Sequence, residues 1–327
     1  MKNGLKKIIK SFKNKRIIVW GDFILDEYIF TTTSRISREA PVLVTEFESN
    51  IFRLGGAGNV VMNIKSLGAI PIPVGFIGND ADGQTLKNIL EKSAIITDHM
   101  IGLEAYRTPK KSRILSGGEN TKKQQVLRID TLNKSGINPA SYENIAGVLA
   151  RLLANSDILI ISDYLFQSVI PSVQKKLRET FPDKTFIIDS RNNLSKFKDI
   201  SIATPNEPEI KKLFPGKTFL QESDFYHAGR ELLERLNARG IIIKRGHKGM
   251  IIFEKNIEPR VMDIHGSADI VDVTGAGDTV ISVLSLSLST GADLYSSAAL
   301  ANIAAGFVVM KEGAYPINMG ELENELE

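Results

Sequence analysis

The 327-residue chain contains no cysteine. Disulfide bonds, thiolate zinc sites and a cysteine nucleophile are therefore excluded. Long apolar runs are missing as well, because no uncharged apolar stretch reaches the roughly 18 residues that a membrane-spanning helix requires. The first apolar run, residues 17–30, is interrupted by acidic residues, so we expect no signal peptide, no membrane partner and a cytoplasmic location.

A strong charge imbalance is also absent. The chain has 41 Lys and Arg against 38 Asp and Glu, and the excess of positive charge is concentrated in the first 16 residues. A nucleic-acid-binding protein is basic over a whole face, so no nucleic-acid partner is expected. Apolar residues from Leu5 to Phe12 recur at helical spacing and predict an amphipathic helix. We expect this helix to dock on the rest of the protein, with contact to a membrane surface as the alternative.

Short β-branched runs alternate with amphipathic stretches along most of the chain. Strands are predicted at residues 16–20, 72–77, 157–161, 185–189 and 240–244, and helices at 57–67, 83–92, 168–179, 207–214 and 224–237. This alternation predicts an α/β fold, with a mostly parallel central sheet and helices on both faces. No linker is visible, and we expect a single domain over residues 1–327.

Two segments, residues 28–47 and 95–130, interrupt this alternation. Both contain short alternating apolar runs without a helix between them. They predict antiparallel strands inserted into the α/β body, forming a small sheet that could cover a site as a lid. Residues 117–121 are predicted to be a flexible hairpin tip.

Two glycine-containing stretches fail as nucleotide-binding motifs. Residues 216–218 (GKT) end like a P-loop, but the first glycine of that motif would fall at Lys211. Residues 56–58 (GAG) begin a dinucleotide-binding pattern, but its sixth position is Val61 and no clear strand precedes it. A P-loop NTPase and a Rossmann oxidoreductase are therefore disfavoured.

A third stretch, residues 271–279 (VDVTGAGDT), carries more chemistry. Three small residues let successive backbone N–H groups point to one place at the start of a predicted helix, an arrangement that suits a phosphoryl group; they are Gly275, Ala276 and Gly277. The carboxylate of Asp278 would repel a statically bound phosphate. It suits a base that takes a proton from a hydroxyl attacking a γ-phosphate. The alternative is that Asp278 only caps the helix.

Residues 55–64 (GGAGNVVMNI) and 272–279 (DVTGAGDT) resemble the two signatures of the PfkB/ribokinase-type carbohydrate kinases. The motifs occur in the family's order, and the resemblance covers essentially the whole chain. Within the family the sequence is most similar to kinases of heptose 7-phosphate, through residues 21–28, 33–42, 124–130, 161–164, 204–209, 244–246 and 301–306. It departs from those kinases at Arg38 and at residues 117–122, 165–167 and 190–191.

The resemblance implies the residues of the phosphoryl-transfer and acceptor sites. Asp278 would be the general base, and the anion hole would be formed by Gly275, Ala276 and Gly277. Sugar hydroxyls would be bound by Asp22, Asp26, Gly55, Gly56 and Asn59. Cations of the predicted lid would bind a phosphate on the acceptor, and a solvated surface charge is the alternative for each of them; they are Arg35, Lys111, Arg113 and Arg128.

The resemblance also implies a nucleotide side. Asn206 and Glu209 would hold Mg²⁺ through water, with a helix-dipole role as the alternative for Glu209. ATP would be contacted by Lys244, Gly246, Gly249 and Asn302. Asp272 and Thr274 match positions that hold a monovalent cation such as K⁺ in some relatives.

The function implied is that of a Mg²⁺- and ATP-dependent sugar kinase. The expected acceptor is D-glycero-β-D-manno-heptose 7-phosphate, converted to its 1,7-bisphosphate on the way to ADP-heptose for lipopolysaccharide or another surface glycan. Alternatives are a kinase of another sugar, sugar phosphate or nucleoside, or a non-catalytic sugar-binding regulator with this fold. Because the chain ends after the kinase region, we expect the kinase function alone. Exposed edges of the lid predict a homodimer.

Overall fold

The computed structural model describes residues 2–118, 121–156, 158–266 and 270–327. Its helices are α1 (Lys2–Lys10), α2 (Ala57–Ser66), α3 (Ala81–Lys92), α4 (Pro139–Leu153), α5 (Pro171–Thr180), α6 (Glu207–Leu213), α7 (Glu222–Arg235), α8 (Ala276–Ser289), α9 (Leu294–Val308) and α10 (Met319–Asn324). Its strands are β1 (Arg16–Gly21), β2 (Phe23–Ile36), β3 (Leu43–Gly56), β4 (Ile70–Gly78), β5 (Met100–Leu103), β6 (Lys110–Gly117), β7 (Gln124–Thr131), β8 (Ile158–Asp163), β9 (Thr185–Ser190), β10 (Ile202–Ala203), β11 (Gly240–Lys244), β12 (Met250–Glu254) and β13 (Ile257–Met262). Two predictions, the strand residue Asp157 and positions 119–120 of the hairpin tip, lie outside the described residues.

The large sheet has the strand order β13-β12-β11-β10-β9-β8-β1-β4-β5. All pairs from β11 to β5 are parallel, and β12 and β13 add an antiparallel edge. Alternate residues of β1 point to opposite layers: Ile17 and Val19 pack toward α2, α8 and α9, and Ile18 and Trp20 toward α4, α5 and α7. The predicted α/β fold, with helices on both faces of a mostly parallel sheet, is confirmed.

The small sheet has the order β3-β2-β6-β7. Its two hairpins, β2–β3 and β6–β7, are antiparallel as predicted, but β2 and β6 pair in parallel. The second predicted lid segment, residues 95–130, also begins too early in the chain. Within the segment 95–130, β5 pairs with β4 of the large sheet, so the second hairpin begins only at Lys110. The reason is that β5 follows α3 as an ordinary β-α-β crossover of the main body.

The amphipathic N-terminal segment docks on the protein as expected. Leu5, Ile9 and Phe12 are buried in the same apolar layer as Ile17. Among the described residues, no helix combines the length and the apolar character needed to cross a bilayer.

Candidate active site

The carboxyl ends of several parallel strands meet at one edge of the large sheet, beside the first turn of α8. Asp22 follows β1, Tyr164 follows β8, Asp189 lies at the end of β9 and Lys244 ends β11. The crevice at the carboxyl edge of an open α/β sheet is the usual place for a ligand. The small sheet rises from this edge, since β2 begins directly after β1.

The first turn of α8 offers backbone amides to this crevice. Gly275 precedes the helix in the left-handed conformation with φ of 82°, and a Cβ on it would lie 2.6 Å from Nδ2 of Asn59. Only glycine fits that position. The N–H of Ala276 donates to the carbonyl of Val273, whereas the N–H of Gly277 lies in the first turn, where a helix has no acceptor of its own. The predicted anion hole is therefore centred on Gly277.

The carboxylate of Asp278 is buried next to these amides, with 5% of the residue exposed. Its Oδ2 accepts a hydrogen bond from Nδ2 of Asn59 at 2.8 Å, and its Oδ1 accepts one from the hydroxyl of Tyr164 at 2.8 Å. α8 has no side-chain cap hydrogen bond, so the alternative of Asp278 as a helix cap is wrong. Burial raises the pKa of Asp278 to about 6, while the two donors act in the opposite direction. The side chain has the environment of a general base.

An ion pair that the sequence did not predict lies on the nucleotide side of Gly277. Nζ of Lys244 donates to both carboxylate oxygens of Asp189 at 3.0 Å. A Cβ on Gly277 would be 3.4 Å from this ammonium nitrogen and 3.6 Å from Oδ2 of Asp189. The pair therefore borders the predicted phosphoryl site directly.

Asn206 and Glu209 form a reciprocal capping box at the start of α6. Oδ1 of Asn206 accepts from the N–H of Glu209 at 2.9 Å, and Oε2 of Glu209 accepts from the N–H of Asn206 at 2.9 Å. The helix-terminus role, which was the alternative for Glu209, is thus present. Burial and the negative charge of Asp189 raise the pKa of Glu209. The carboxylate is therefore close to the crevice as well.

An apolar cavity of about 220 Å³ continues from Gly277 between β11 and α9. It is lined by five of the six residues predicted for the nucleotide side, all except Glu209, and by Ala276 and Gly277 of the predicted anion hole; the five are Asn206, Lys244, Gly246, Gly249 and Asn302. Its remaining wall is aliphatic, with Val280 and Val309 among the lining residues. A narrow apolar slot that opens onto a helix N-terminus fits the base and the phosphates of a nucleotide.

On the other side of Asp278, the small sheet supplies a second group of polar residues. Asp26 of β2 is buried, and its Oδ1 accepts a hydrogen bond from Arg113 of β6 at 2.6 Å. The carboxylate packs closely against Gly55 of β3, since a Cβ there would lie 2.4 Å from Oδ2 of Asp26. Burial and the neighbouring cations Arg113, Arg128 and Arg191 lower the pKa of Lys111. These four cations therefore lie in one region. Arg191 was not among the lid cations predicted from sequence.

Asp22 and Arg35 lie apart from this group. Asp22 is fully buried, and its two oxygens accept from the N–H groups of Tyr164, Phe166 and Ser168 at 2.8 to 3.0 Å. It braces the loop after β8, so its predicted place among the sugar ligands is not supported. Arg35 is exposed near the far end of β2.

The predicted cation loop is ordered by one carboxylate. Oδ1 of Asp272 accepts from the N–H of Thr274 at 2.9 Å, and Oδ2 accepts from the N–H of Gly313 at 3.0 Å. Asp272 therefore ties the segment before α8 to the segment after α9.

Gly56, which was also predicted to contact the sugar, immediately precedes α2, the helix that contains Asn59, and has φ of 58°.

The architecture is a ribokinase-like fold. Arabidopsis thaliana ribokinase complexed with ribose and ATP has a TM-score of 0.72 at 18% identity, covering 96% of this chain and 99% of that one. Escherichia coli phosphofructokinase-2 in complex with potassium has a TM-score of 0.74 at 19% identity, covering 96% and 98%.

The chain belongs to the pfkB family of carbohydrate kinases, whose sequence model matches residues 14–319. It is a phosphotransferase with an alcohol acceptor, as the sequence motifs predicted. Among curated relatives, the bifunctional protein HldE of Desulfatibacillum aliphaticivorans is 36% identical over 325 residues, covering 98% of this chain and 64% of the relative. HldE of Haemophilus influenzae strain PittEE is 35% identical over 317 residues, covering 96% and 64%. The chain thus spans a little under two thirds of the length of these relatives.

Proposed function

We propose that this kinase transfers the γ-phosphoryl group of ATP to the anomeric hydroxyl of a heptose 7-phosphate, giving the 1,7-bisphosphate. The observation that carries the phosphoryl-transfer step is the carboxylate of Asp278, held by two donors beside the free amide of Gly277. The similarity to HldE over nearly the whole chain supports a heptose acceptor.

Asp278 takes the proton of the attacking hydroxyl as the new oxygen–phosphorus bond forms and the bond to the β-phosphate oxygen breaks, releasing ADP. The N–H of Gly277 and the N-terminal end of α8 stabilise the negative charge on the transferred group. Lys244 lies beside this amide and neutralises charge on the nucleotide phosphates.

Mg²⁺ would be held through water by Asn206, which lines the polar end of the cavity, and by Glu209 of the same capping box, because this ion prefers oxygen ligands and keeps several waters. When bound, it would neutralise phosphate charge. A monovalent cation at the Asp272 and Thr274 loop is part of the proposal, and potassium is present in the phosphofructokinase-2 structure. We also propose a cytoplasmic location, where ATP is available.

The acceptor lies between Asp278 and the small sheet. Asp26 accepts hydrogen bonds from sugar hydroxyls, and the backbone of Gly55 permits close approach. The cations that cluster around Lys111 bind the phosphate that the acceptor already carries. They are Lys111, Arg113, Arg128 and, in place of the distant Arg35, Arg191.

The small sheet also supports a homodimer. It exposes several large apolar side chains, among them Ile36, Phe47, Leu127 and Ile129. Its outer strands β3 and β7 have free edges in the order given above. Apolar patches and open edges of this kind favour association with a second copy.

The test is ADP release from Mg-ATP with four acceptors: heptose 7-phosphate, fructose 6-phosphate, fructose and ribose. We expect turnover with the heptose phosphate and its loss in Asp278→Asn.

Lys111→Met should raise the KM for heptose 7-phosphate at least tenfold and leave the KM for ATP unchanged, with Arg35→Met as the matched control. Turnover with another acceptor alone would refute the heptose assignment. Sugar binding without any turnover would indicate the non-catalytic regulator.

A further inference from the structure

The hydroxyl of Tyr164 reaches the carboxylate of Asp278 from the loop after β8. We propose that Tyr164 is a positioning residue, whose hydroxyl orients the carboxylate of Asp278 for proton transfer. The inference rests on the proposed function, because the role of Asp278 as the base belongs to it. The tyrosine is half-buried and lies within the crevice.

The two donors on Asp278 come from different elements. Asn59 of α2 donates to Oδ2, and Tyr164 donates to Oδ1, both at 2.8 Å. With one donor on each oxygen, the plane of the carboxylate is fixed, and each oxygen retains a lone pair for a hydroxyl. Asn63 donates to the backbone carbonyl of Asn59 at 2.9 Å and braces that side.

Tyr164 is itself held in place. Its N–H donates to the buried carboxylate of Asp22 at 2.8 Å. Two cations lie over its ring, with Nζ of Lys111 at 5.7 Å and the guanidinium carbon of Arg191 at 5.3 Å from the ring centre. These contacts are typical of cation–π interactions, and they hold the phenol where its hydroxyl meets Asp278.

The charges around Tyr164 and Asp278 determine the direction in which each pKa shifts. Burial and the negative charges of Asp278 and Asp189 raise the pKa of Tyr164 well above its ordinary value, while Arg191 opposes them. The phenol therefore keeps its proton and acts as a donor. For Asp278, burial and Asp189 raise the pKa, whereas Asn59, Tyr164 and Lys244 lower it. Removal of the Tyr164 hydroxyl must therefore raise it further.

The test is Tyr164→Phe, which keeps the ring and its cation contacts. The acidic limb of the kcat/KM profile should move upward by about one pH unit. The kcat on the alkaline plateau should fall about tenfold, because the base loses its fixed orientation. The KM for ATP should not change. Tyr142→Phe is the matched control, since that hydroxyl donates to the carbonyl of Gln167 in the same loop and not to Asp278.

A second readout does not require turnover. In protein labelled with ¹³C at the aspartate carboxyl groups, the resonance of Asp278 is assigned by its loss in Asp278→Asn. Its titration midpoint should be higher in Tyr164→Phe than in the wild type and unchanged in Tyr142→Phe. An unchanged midpoint in Tyr164→Phe, or an equal change in the control, would overturn the proposal. If no acceptor supports turnover, the proposed function fails, while the titration still decides the role of Tyr164.

Discussion

Asp22 and Asp278 are both buried aspartates whose pKa burial raises to about 6, yet their partners differ. Asp22 accepts three backbone N–H groups, which belong to Tyr164, Phe166 and Ser168. Within the described part of the chain, Asp278 accepts from the side chains of Asn59 and Tyr164, and it faces the crevice. One carboxylate is thus committed to the fold and the other is available for chemistry.

The two aspartates should respond in opposite ways to replacement by asparagine. The folded-state pKa of Asp278 lies above its ordinary value of 3.8, so the cost of its charge is absent at low pH and complete above about pH 6. Asp278→Asn should therefore raise the free energy of unfolding at pH 7.5 by roughly 1 to 2 kcal/mol, and by less at pH 4.5. Denaturant unfolding at the two pH values measures this, and an equal gain at both would contradict it.

Asp22→Asn serves as the contrasting variant. A carboxamide has one acceptor oxygen, so at least one of the three buried amides loses its partner. We expect a loss of about 1 to 3 kcal/mol at pH 7.5, measured in the same unfolding experiment. A variant as stable as the wild type would show that the loop after β8 does not depend on Asp22.

At the scale of single residues, a site residue could be predicted from sequence when its geometry is local to the segment, and could not when its neighbours are distant in the chain. Asp278 and Gly277 could be predicted because the segment before α8 carries its own geometry. Tyr164, Asp189 and Arg191 were missed as site residues, since only the parallel order of β8, β9 and β1 brings them to α8. The backbone partners of Asp22, which lie in the loop after β8, were missed for the same reason. The sequence around an aspartate that follows a strand does not indicate whether its carboxylate binds a ligand or accepts hydrogen bonds from a loop more than a hundred residues away.

At the scale of the element, the start of α8 depends on two glycines for different reasons. Gly275 has φ of 82°, and its Cβ would collide with the amide of Asn59 at 2.6 Å. Gly277 does not have a positive φ, and a Cβ on it would meet only side-chain ends, the ammonium of Lys244 at 3.4 Å and Oδ2 of Asp189 at 3.6 Å. A side chain would therefore strain the backbone at Gly275 but not at Gly277, where the absence of a side chain leaves space for a ligand.

Alanine substitutions should separate these two roles. Gly275→Ala should lower the free energy of unfolding by about 1 to 3 kcal/mol and displace Asn59, so that stability and kcat fall together. Gly277→Ala should fold with nearly wild-type stability, yet lose at least tenfold in kcat because its methyl group occupies the anion site. Thermal unfolding and steady-state kinetics on both variants measure this. Loss of stability without loss of activity in Gly277→Ala would refute the assignment.

The regular elements of the large sheet could be predicted from sequence, because β1, β8 and β11 are apolar runs that each follow an amphipathic helix. β5 and the parallel pairing of β2 with β6 could not be predicted from sequence. A four-residue strand such as β5 has too short a pattern to indicate its sheet. β2 and β6 are the two central strands of the small sheet, and the pairing of two such hairpins depends on long-range packing, which local alternation does not encode.

At the scale of the whole molecule, the large sheet buries both of its faces, whereas the small sheet remains open. Phe47 on the outer strand β3 has 67% of its surface exposed, and Leu127 and Ile129 on the opposite outer strand β7 are also exposed. Leaving large apolar side chains in water is unfavourable, and in the proposed homodimer a second copy covering the small sheet would remove that cost. The same contact would hold the small sheet over the crevice.

Phe47→Glu should therefore convert the protein from a dimer to a monomer at micromolar concentration. A glutamate in an apolar interface loses its hydration without gaining a partner, which opposes association. Ile96→Glu is the matched control, since Ile96 is equally exposed at 68% but lies on the main body after α3. Sedimentation velocity should give a dimer for the wild type and for Ile96→Glu. A monomeric wild type, or a dimeric Phe47→Glu, would show that the small sheet is not the interface. If the interface also holds the small sheet over the crevice, monomeric Phe47→Glu should show a higher KM for the acceptor, whereas Ile96→Glu should not.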